Sequence, residues 1–189
     1  IRRMLSSEQE RNYWVERSKL PEYQAYLTEL TPEDETYSHA ENHFGSGRLK
    51  SSFWVDAKAY YERNLEYFER KGKLLKEDFD ASRFDENTLN YKGKTYDKVV
   101  FSVGYQQMNT PFFQELPIQQ TKGQTLRIQS AEIPENESLN RKCFVLPLGN
   151  QIFRIGATYE WDNPDLTPSE EAKQELVEHL SVLGNYQYK

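Results

Sequence analysis

Two stretches of the chain repeat apolar residues every three or four positions, which is the spacing of an amphipathic helix. One covers residues 56–72, between the N-cap Asp56 and a glycine, and the other covers residues 167–184, after a capping box that begins at Thr167. A second capping box, at Ser7, predicts a further helix to about residue 19. The apolar positions of the two repeating stretches are Ala57, Tyr61, Leu65 and Phe68, and Ala172, Leu176, Leu180 and Leu183.

Between these helices lie short apolar runs bounded by glycines and polar turns, a pattern that predicts β-strands. Val99–Val103 is almost uninterrupted and is followed by Gly104, which is typical of a strand covered on both faces. Phe144–Trp161 predicts two apolar strands joined by a Leu-Gly-Asn turn. The other predicted strands cover residues 39–44, 48–54, 73–76, 79–84 and 123–129, with a hairpin turn at Lys92-Gly93. Helices interspersed with strands predict an α+β (α/β) fold built on a mixed β-sheet.

Composition excludes several classes of protein. A chain of 189 residues with 37% hydrophobic and 14% aromatic residues can bury a core as one ordinary domain or slightly more. The net charge of −6 argues against nucleic-acid binding. No apolar run approaches the roughly 20 residues that a membrane helix needs. Cys143 is the single cysteine, so a disulfide framework is excluded, and a cytoplasmic location is expected.

Few residues suggest chemistry by themselves. His39 and His43 lie in a predicted strand without further ligands nearby, which favours solvated or packed histidines over a metal site. The chain contains neither a Gly-x-Gly-x-x-Gly nor a P-loop pattern, so it cannot build a standard dinucleotide cradle by itself. Four aromatic residues at predicted strand ends could project into a cleft. They are Phe144, Phe153, Tyr159 and Trp161.

Five blocks of sequence, taken in order, resemble one family. Tyr96–Gly104 is similar to the pattern Ala-Asp-x-Val-Val-x-Ala-x-Gly, and Leu146–Glu160 is similar to x-Pro…x-Ile-Gly-Ala-Thr-x-Glu. Both patterns belong to the FAD-dependent oxidoreductases of the D-amino-acid oxidase, glycine oxidase and sarcosine oxidase superfamily. The other matching blocks are residues 53–56, 72–75 and 116–124.

The resemblance implies an internal fragment that lacks the N-terminal glycine-rich FAD loop and the C-terminal segment of the family. Residues 1–52 and 105–189 would form a substrate-binding domain of the D-amino-acid oxidase type, and residues 53–104 would form part of the FAD-binding domain. FAD would be the cofactor of the full-length protein. The fragment alone would neither hold FAD tightly nor turn over.

Site residues follow from the same resemblance. Arg154 occupies a position where sarcosine oxidases carry a lysine that promotes reaction of reduced flavin with oxygen, so it is the candidate catalytic residue. Phe144 and Tyr159 match substrate-binding positions, although phenylalanine lacks the hydroxyl that some members have at the first. Four residues would approach FAD, mainly through their backbone. They are Phe79, Ser102, Val103 and Gly104. No metal site is expected.

The implied activity is oxidation of the C–N bond of an amino acid or a related amine. A hydroxy-acid dehydrogenase of the same superfamily is one alternative. A non-catalytic domain that binds a ligand or a protein through its sheet and aromatic residues is another. A small-molecule amine or amino acid is the expected partner, with neither nucleic acid nor a membrane span, and the sequence leaves the oligomeric state open.

Overall fold

The computed structural model describes residues 1–161, 163 and 165–189. Within them the chain forms four helices and eleven strands. The helices are α1 (Glu8–Ser18), α2 (Pro32–Glu35), α3 (Ala57–Arg70) and α4 (Glu170–Ser181). The strands are β1 (Arg2–Met4), β2 (Ser46–Arg48), β3 (Phe84–Asp85), β4 (Asn90–Tyr91), β5 (Lys94–Thr95), β6 (Thr121–Lys122), β7 (Thr125–Gln129), β8 (Leu139–Asn140), β9 (Phe144–Gly149), β10 (Ile152–Gly156) and β11 (Glu160–Trp161).

The chain divides into two compact units. Unit 1 comprises Ile1–Phe53 and Thr121–Lys189, and unit 2 comprises Trp54–Gln120. The second unit therefore continues past residue 104, the boundary expected from the sequence. Assignment of the two units to a substrate-binding and an FAD-binding domain stays a prediction.

Unit 1 is built on a six-stranded mixed sheet in the order β2-β1-β8-β9-β10-β7. The β1–β8 pair is parallel and the other pairs are antiparallel. A separate two-stranded ladder joins β6 to β11. The α+β fold with a mixed sheet, predicted from the alternation of elements, is confirmed.

One face of the large sheet is covered by α4, and the hydrophobic core lies there. Phe153 and Ile155 are fully buried because alternate residues of β10 point to this face. The four apolar positions predicted to point inward from the last helix are all buried, as the sequence indicated. Cys143 belongs to the same core, and burial raises the pKa of its thiol to about 11.

The start of α4 differs from the prediction. Ser169, and not Thr167, is the N-cap, and its hydroxyl accepts a hydrogen bond from the Ala172 amide at 3.3 Å. The Gln124 side chain completes this cap, because its Oε1 accepts from the Ser169 amide at 2.9 Å. The helix begins two residues late because Gln124, from a distant part of the chain, fixes its first turn.

Several predicted strands are not formed. Residues 39–44, 73–76 and 99–103 have no strand structure, and only Arg48 of the predicted strand 48–54 lies in a strand, at the end of β2. Val100 is 83% exposed, so the apolar run that ends at Val103 has no sheet around it in the described residues. The sequence pattern alone did not reveal that these runs lack neighbouring strands to pair with.

Unit 2 holds α3 and a small sheet in the order β3-β4-β5. The Asp56 cap is confirmed, since its Oδ1 accepts from the Ala59 amide at 3.0 Å. The hairpin turn is confirmed as well, with positive φ at both Lys92 and Gly93. A cluster of aromatic side chains packs around Phe79, but no described side chain of this unit is buried.

No helix of the described residues is long and apolar enough to cross a membrane. Among the same residues, no group of histidine, cysteine and acidic side chains could hold a metal ion.

Candidate functional site

The outer face of the large sheet, opposite α4, carries two of the predicted site residues. Phe144 begins β9, and Arg154 lies in β10 between the buried Phe153 and Ile155. Because side chains alternate along a strand, Arg154 and Gly156 point away from the core. Phe144 is the ladder partner of Gly156, so it lies on the same face. The structure therefore brings Phe144 and Arg154 onto one surface.

The Phe144 ring lies directly over Gly156. A Cβ added to this glycine would stand 2.6 Å from the Phe144 Cζ and 2.9 Å from the Thr125 Cγ2. Only a residue without a side chain leaves room for the ring there. The glycine of the Gly-Ala-Thr block thus leaves its side-chain space to the Phe144 ring, which is half-buried against it.

Arg154 is exposed, and its ladder partners are Leu146 on β9 and Arg127 on β7. Arg127 is exposed too, so two guanidinium groups stand side by side on the outer face. Sequence reasoning missed Arg127. The alternation in β7 could have shown that Arg127 points away from the core, but the pairing of β7 with β10 is not visible in the sequence.

Tyr159 is 75% exposed and follows Thr158, which is buried. Thr158 Oγ1 accepts a hydrogen bond from the backbone N–H of Gln124 at 3.1 Å. This bond links the end of the Gly-Ala-Thr block to the residue that precedes β7. Tyr159 lines a cavity of about 420 Å³ near the start of α4. Lys122 lines the same cavity, and its Nζ donates to the Thr167 carbonyl at 2.8 Å. Tyr159 is therefore not among the residues gathered at Phe144 and Arg154.

The predicted FAD residues all lie in unit 2. Phe79 stacks on Tyr91 with ring centroids 5.0 Å apart and meets Phe101 edge to face at 5.7 Å. Neither the amide nor the carbonyl of Phe79 has a hydrogen-bond partner among the described residues. These two backbone groups are free to bind a ligand.

Ser102 and Val103 lie in an irregular segment and Gly104 begins a 3-10 helix, so the predicted strand is not formed. Val103 and Gly104 line an apolar groove of about 430 Å³, together with Phe113 and Leu116. Gly104 has φ +56, and no atom lies within 4 Å of the position a Cβ would occupy. The glycine therefore leaves its backbone accessible, although it does not end a strand, and its contact with FAD stays a prediction.

A second polar cluster, which the sequence did not reveal, lies near the edge of the sheet in unit 1. Arg2 donates from Nη1 to the buried Asp34 at 2.8 Å and from Nε to Glu137 at 3.0 Å. Burial opposes ionisation of Asp34, but hydrogen bonds from Thr31 and Arg2 outweigh it and hold the pKa of this carboxyl below its usual value. Tyr37 stacks under the Arg2 guanidinium, and burial raises the pKa of its hydroxyl.

A comparison with protein families gives one result. A family model described as DAO, FAD dependent oxidoreductase, matches residues 2–183. The chain belongs to this family. Membership of the FAD-dependent oxidoreductases agrees with the sequence blocks at residues 96–104 and 146–160. It also raises the question of whether the residues of this chain fit FAD.

The residues of unit 2 fit backbone contacts to FAD, but only in part. The unpaired amide and carbonyl of Phe79 and the open position at Gly104 are the kinds of groups that bind a cofactor without a side chain. The pyrophosphate of a dinucleotide usually sits on a glycine-rich loop at a helix N-terminus, and the sequence contains no such pattern. This chain can therefore supply part of an FAD site.

Proposed function

We propose that this chain is part of a flavoenzyme that oxidises the C–N bond of an amino acid or a related amine. The observation that carries the proposal is the outer face of the sheet, where the Phe144 ring packed on Gly156 shares a surface with Arg154, a cation without a partner among the described residues. An amino acid presents the complementary chemistry, with a carboxylate beside the carbon that is oxidised.

In this proposal each residue of the outer face has a separate role. Arg154 binds the substrate carboxylate, since a guanidinium offers a planar pair of donors that matches a carboxylate. Phe144 covers Gly156 with an apolar ring that excludes water, and without a hydroxyl it forms no hydrogen bond to the substrate. Tyr159 lines the cavity near the start of α4, and from there it contacts the substrate. FAD, when bound, would accept the hydride, which carries the two electrons of the oxidation.

We further propose that FAD is held in part by the backbone of Phe79, Ser102, Val103 and Gly104. The partnerless amide of Phe79 and the open space at Gly104 support this assignment. The side chains of these residues would contribute packing rather than hydrogen bonds to the cofactor.

We also propose that the chain functions within a longer polypeptide. The support comes from α3, an amphipathic helix none of whose residues is buried. Tyr60, Tyr61 and Phe68 are 66%, 62% and 44% exposed. An exposed apolar helix face of this kind is expected to pack against a further protein segment. On its own the chain should bind FAD weakly and should not turn over.

Two measurements test these proposals. Titration of the 189-residue chain with FAD, followed by flavin fluorescence, should give no tight stoichiometric binding, and tight binding would contradict the need for further segments. For the full-length protein, anaerobic addition of amines, amino acids and 2-hydroxy acids should bleach the flavin absorbance with the first two classes only. Bleaching by hydroxy acids alone would favour the dehydrogenase, and an absence of flavin would favour a binding domain.

A matched pair of variants tests the role of Arg154. Replacing Arg154 by Gln in the full-length protein should lower kcat/KM for an amino acid by about tenfold or more, because a hydrogen-bonded charge partner of the carboxylate is lost. Replacing Arg70 by Gln removes the same charge from an exposed position in the last turn of α3 and should leave kcat/KM unchanged.

A further inference from the structure

We infer that Arg127 and Arg154 form a paired guanidinium site that selects substrates carrying a second carboxylate, such as dicarboxylic amino acids. The identification of the ligand as the substrate rests on the proposed function. The existence of the anion site rests only on the geometry of unit 1.

The first observation concerns the eight arginines of unit 1. Six of the eight have a partner within the part of the chain that the structure describes, and Arg127 and Arg154 have none. Four of the six form ion pairs, one stacks on tyrosine rings and one donates to a carbonyl. These six are Arg2, Arg3, Arg11, Arg48, Arg17 and Arg141.

The second observation is that the two partnerless arginines are directly opposite each other. Arg154 and Arg127 are partners in the antiparallel β10–β7 ladder, so their side chains leave the same face about 5 Å apart. Like charges in this position oppose pairing of the strands. The chain has a net charge of −6, yet none of its described carboxylates reaches either guanidinium.

The residues next to the pair in the β7–β10–β9 ladders carry no charge. Arg127 is flanked on its own strand by Thr125 and Gln129, and Arg154 by Ile152 and Gly156. Leu146 adjoins Arg154 on the other side. An anion that reaches the pair therefore meets two cations and no acidic side chain in the adjoining ladder positions.

Charge balance favours a dicarboxylate over a single carboxylate. One carboxylate balances the charge of one guanidinium and leaves the second without a counter-charge, whereas two carboxylates on one molecule balance both. Each guanidinium can bind its carboxylate through two parallel hydrogen bonds. The long arginine side chains allow the two groups to adjust to the two or three carbons that separate the carboxylates of a dicarboxylic amino acid.

Binding of glutarate to the 189-residue chain, measured by isothermal titration calorimetry at low ionic strength, tests the anion site without any need for catalysis. We expect glutarate to bind more tightly than butyrate, which has one carboxylate, and more tightly than inorganic phosphate. Arg127→Gln and Arg154→Gln should each weaken binding about tenfold or more, since a hydrogen-bonded charge pair is lost. Arg70→Gln, with the same change of charge, should leave binding within twofold.

Three results would overturn the site. They are no glutarate binding by the parent chain, unchanged binding by Arg127→Gln, and tighter binding of phosphate than of glutarate, which would indicate a phosphate site. Circular dichroism of each variant checks that the fold is kept, and Arg127→Lys provides a second variant that keeps the charge but loses the paired donors.

The role in specificity needs the full-length flavoprotein. Dicarboxylic amino acids should reduce the flavin at a higher kcat/KM than neutral ones of similar length, and Arg127→Gln should reverse or abolish that preference. If no amino acid reduces the flavin while glutarate still binds, the proposed function fails and the anion site stands. If neutral amino acids are preferred by the parent protein, the proposed function stands and the selectivity fails.

Discussion

Asp34 is fully buried, although it carries a charge, and three groups around it make this tolerable. Arg2 donates to its Oδ1 at 2.8 Å, Thr31 donates to its Oδ2 from both amide and hydroxyl, and Arg48 lies 3.1 Å away. Removing one partner of a buried ion pair is costly, because the charge that remains is desolvated and uncompensated. The cluster thus ties β1, β2 and α2 together through a single carboxylate.

We therefore expect Asp34→Asn to lower the free energy of unfolding by about 3 kcal/mol, because Arg2 loses a buried anion. Denaturant titration followed by circular dichroism measures the loss. Glu33→Gln changes the charge at the adjacent, exposed position and should stay within about 0.5 kcal/mol of the parent. Equal effects of the two substitutions would mean that the buried pair contributes nothing specific.

The same carboxyl gives a dependence on pH. The folded state holds the pKa of Asp34 below its usual value of about 3.9. Its contribution to stability is therefore complete above that value and is lost as the pH falls through the lower, folded pKa. Unfolding free energies between pH 6 and pH 2, taken in steps, should fall less steeply for Asp34→Asn than for the parent. Parallel curves would refute the assignment.

The contact between Phe144 and Gly156 can be tested by filling the space. Gly156→Ala places a Cβ 2.6 Å from the Phe144 ring, and overpacking of this kind costs about 1–3 kcal/mol. Adding Phe144→Ala removes the shortest of the clashes and leaves the one with Thr125 Cγ2, so the alanine at 156 should become less costly, and the double-mutant cycle measures that coupling. Gly123→Ala is the control, since its Cβ would lie an acceptable 3.4 Å from the nearest atom. Additive effects at 144 and 156 would contradict the contact.

Sequence reasoning succeeded for single residues only where their partners are close in the chain. Asp56 caps the helix that follows it, and that role was predicted. Arg2 and Glu137 are 135 positions apart, and Arg127 meets Arg154 only through the pairing of two strands. Neither partnership leaves a local signal, so the buried pair and the second arginine of the candidate site could not be predicted.

At the scale of the elements, the start of α4 shows a tertiary contact prevailing over a local capping pattern. The sequence favours Thr167 as the cap, whereas in the structure Ser169 caps the helix and Gln124 supports it. Ser169→Ala should therefore cost about 1 kcal/mol, which is the usual value of an N-cap hydroxyl, and Thr167→Ala should stay within about 0.5 kcal/mol. Thermal or denaturant unfolding of both variants decides between the two caps. A larger loss of stability for Thr167→Ala than for Ser169→Ala would identify Thr167 as the N-cap.

The elements that sequence predicted best are those with local start and stop signals. Both repeating helices formed, with the Asp56 cap and the buried stripe of α4 as expected. The apolar run 99–103 failed because a strand needs neighbours, and Val100 is 83% exposed in a segment without a ladder. Helices carry their hydrogen bonds within themselves, and strands depend on partners that the pattern does not specify.

At the scale of the whole molecule, the two units differ in how much they bury. Unit 1 contains every fully buried residue among those described, including Phe153, Leu176 and Leu180. Unit 2 has an amphipathic helix and an aromatic cluster, but no buried side chain in its described part. The sequence did not predict this contrast, since the apolar stripe of α3 and that of α4 look alike in spacing while only one is covered.

The difference predicts two levels of protection against hydrogen exchange. Local opening costs little where few apolar contacts are lost, and a helix of this length is marginal in water without packing. In native-state exchange followed by mass spectrometry, amides of α3 should exchange within minutes at neutral pH, and those of β9 and β10 should be the slowest. The matched control is α4, a helix of 12 residues compared with 14 in α3, whose buried stripe should keep it protected. Equal protection of the two helices would show that α3 is stabilised by something other than burial. It would also remove the support that its exposed face gives to a longer polypeptide.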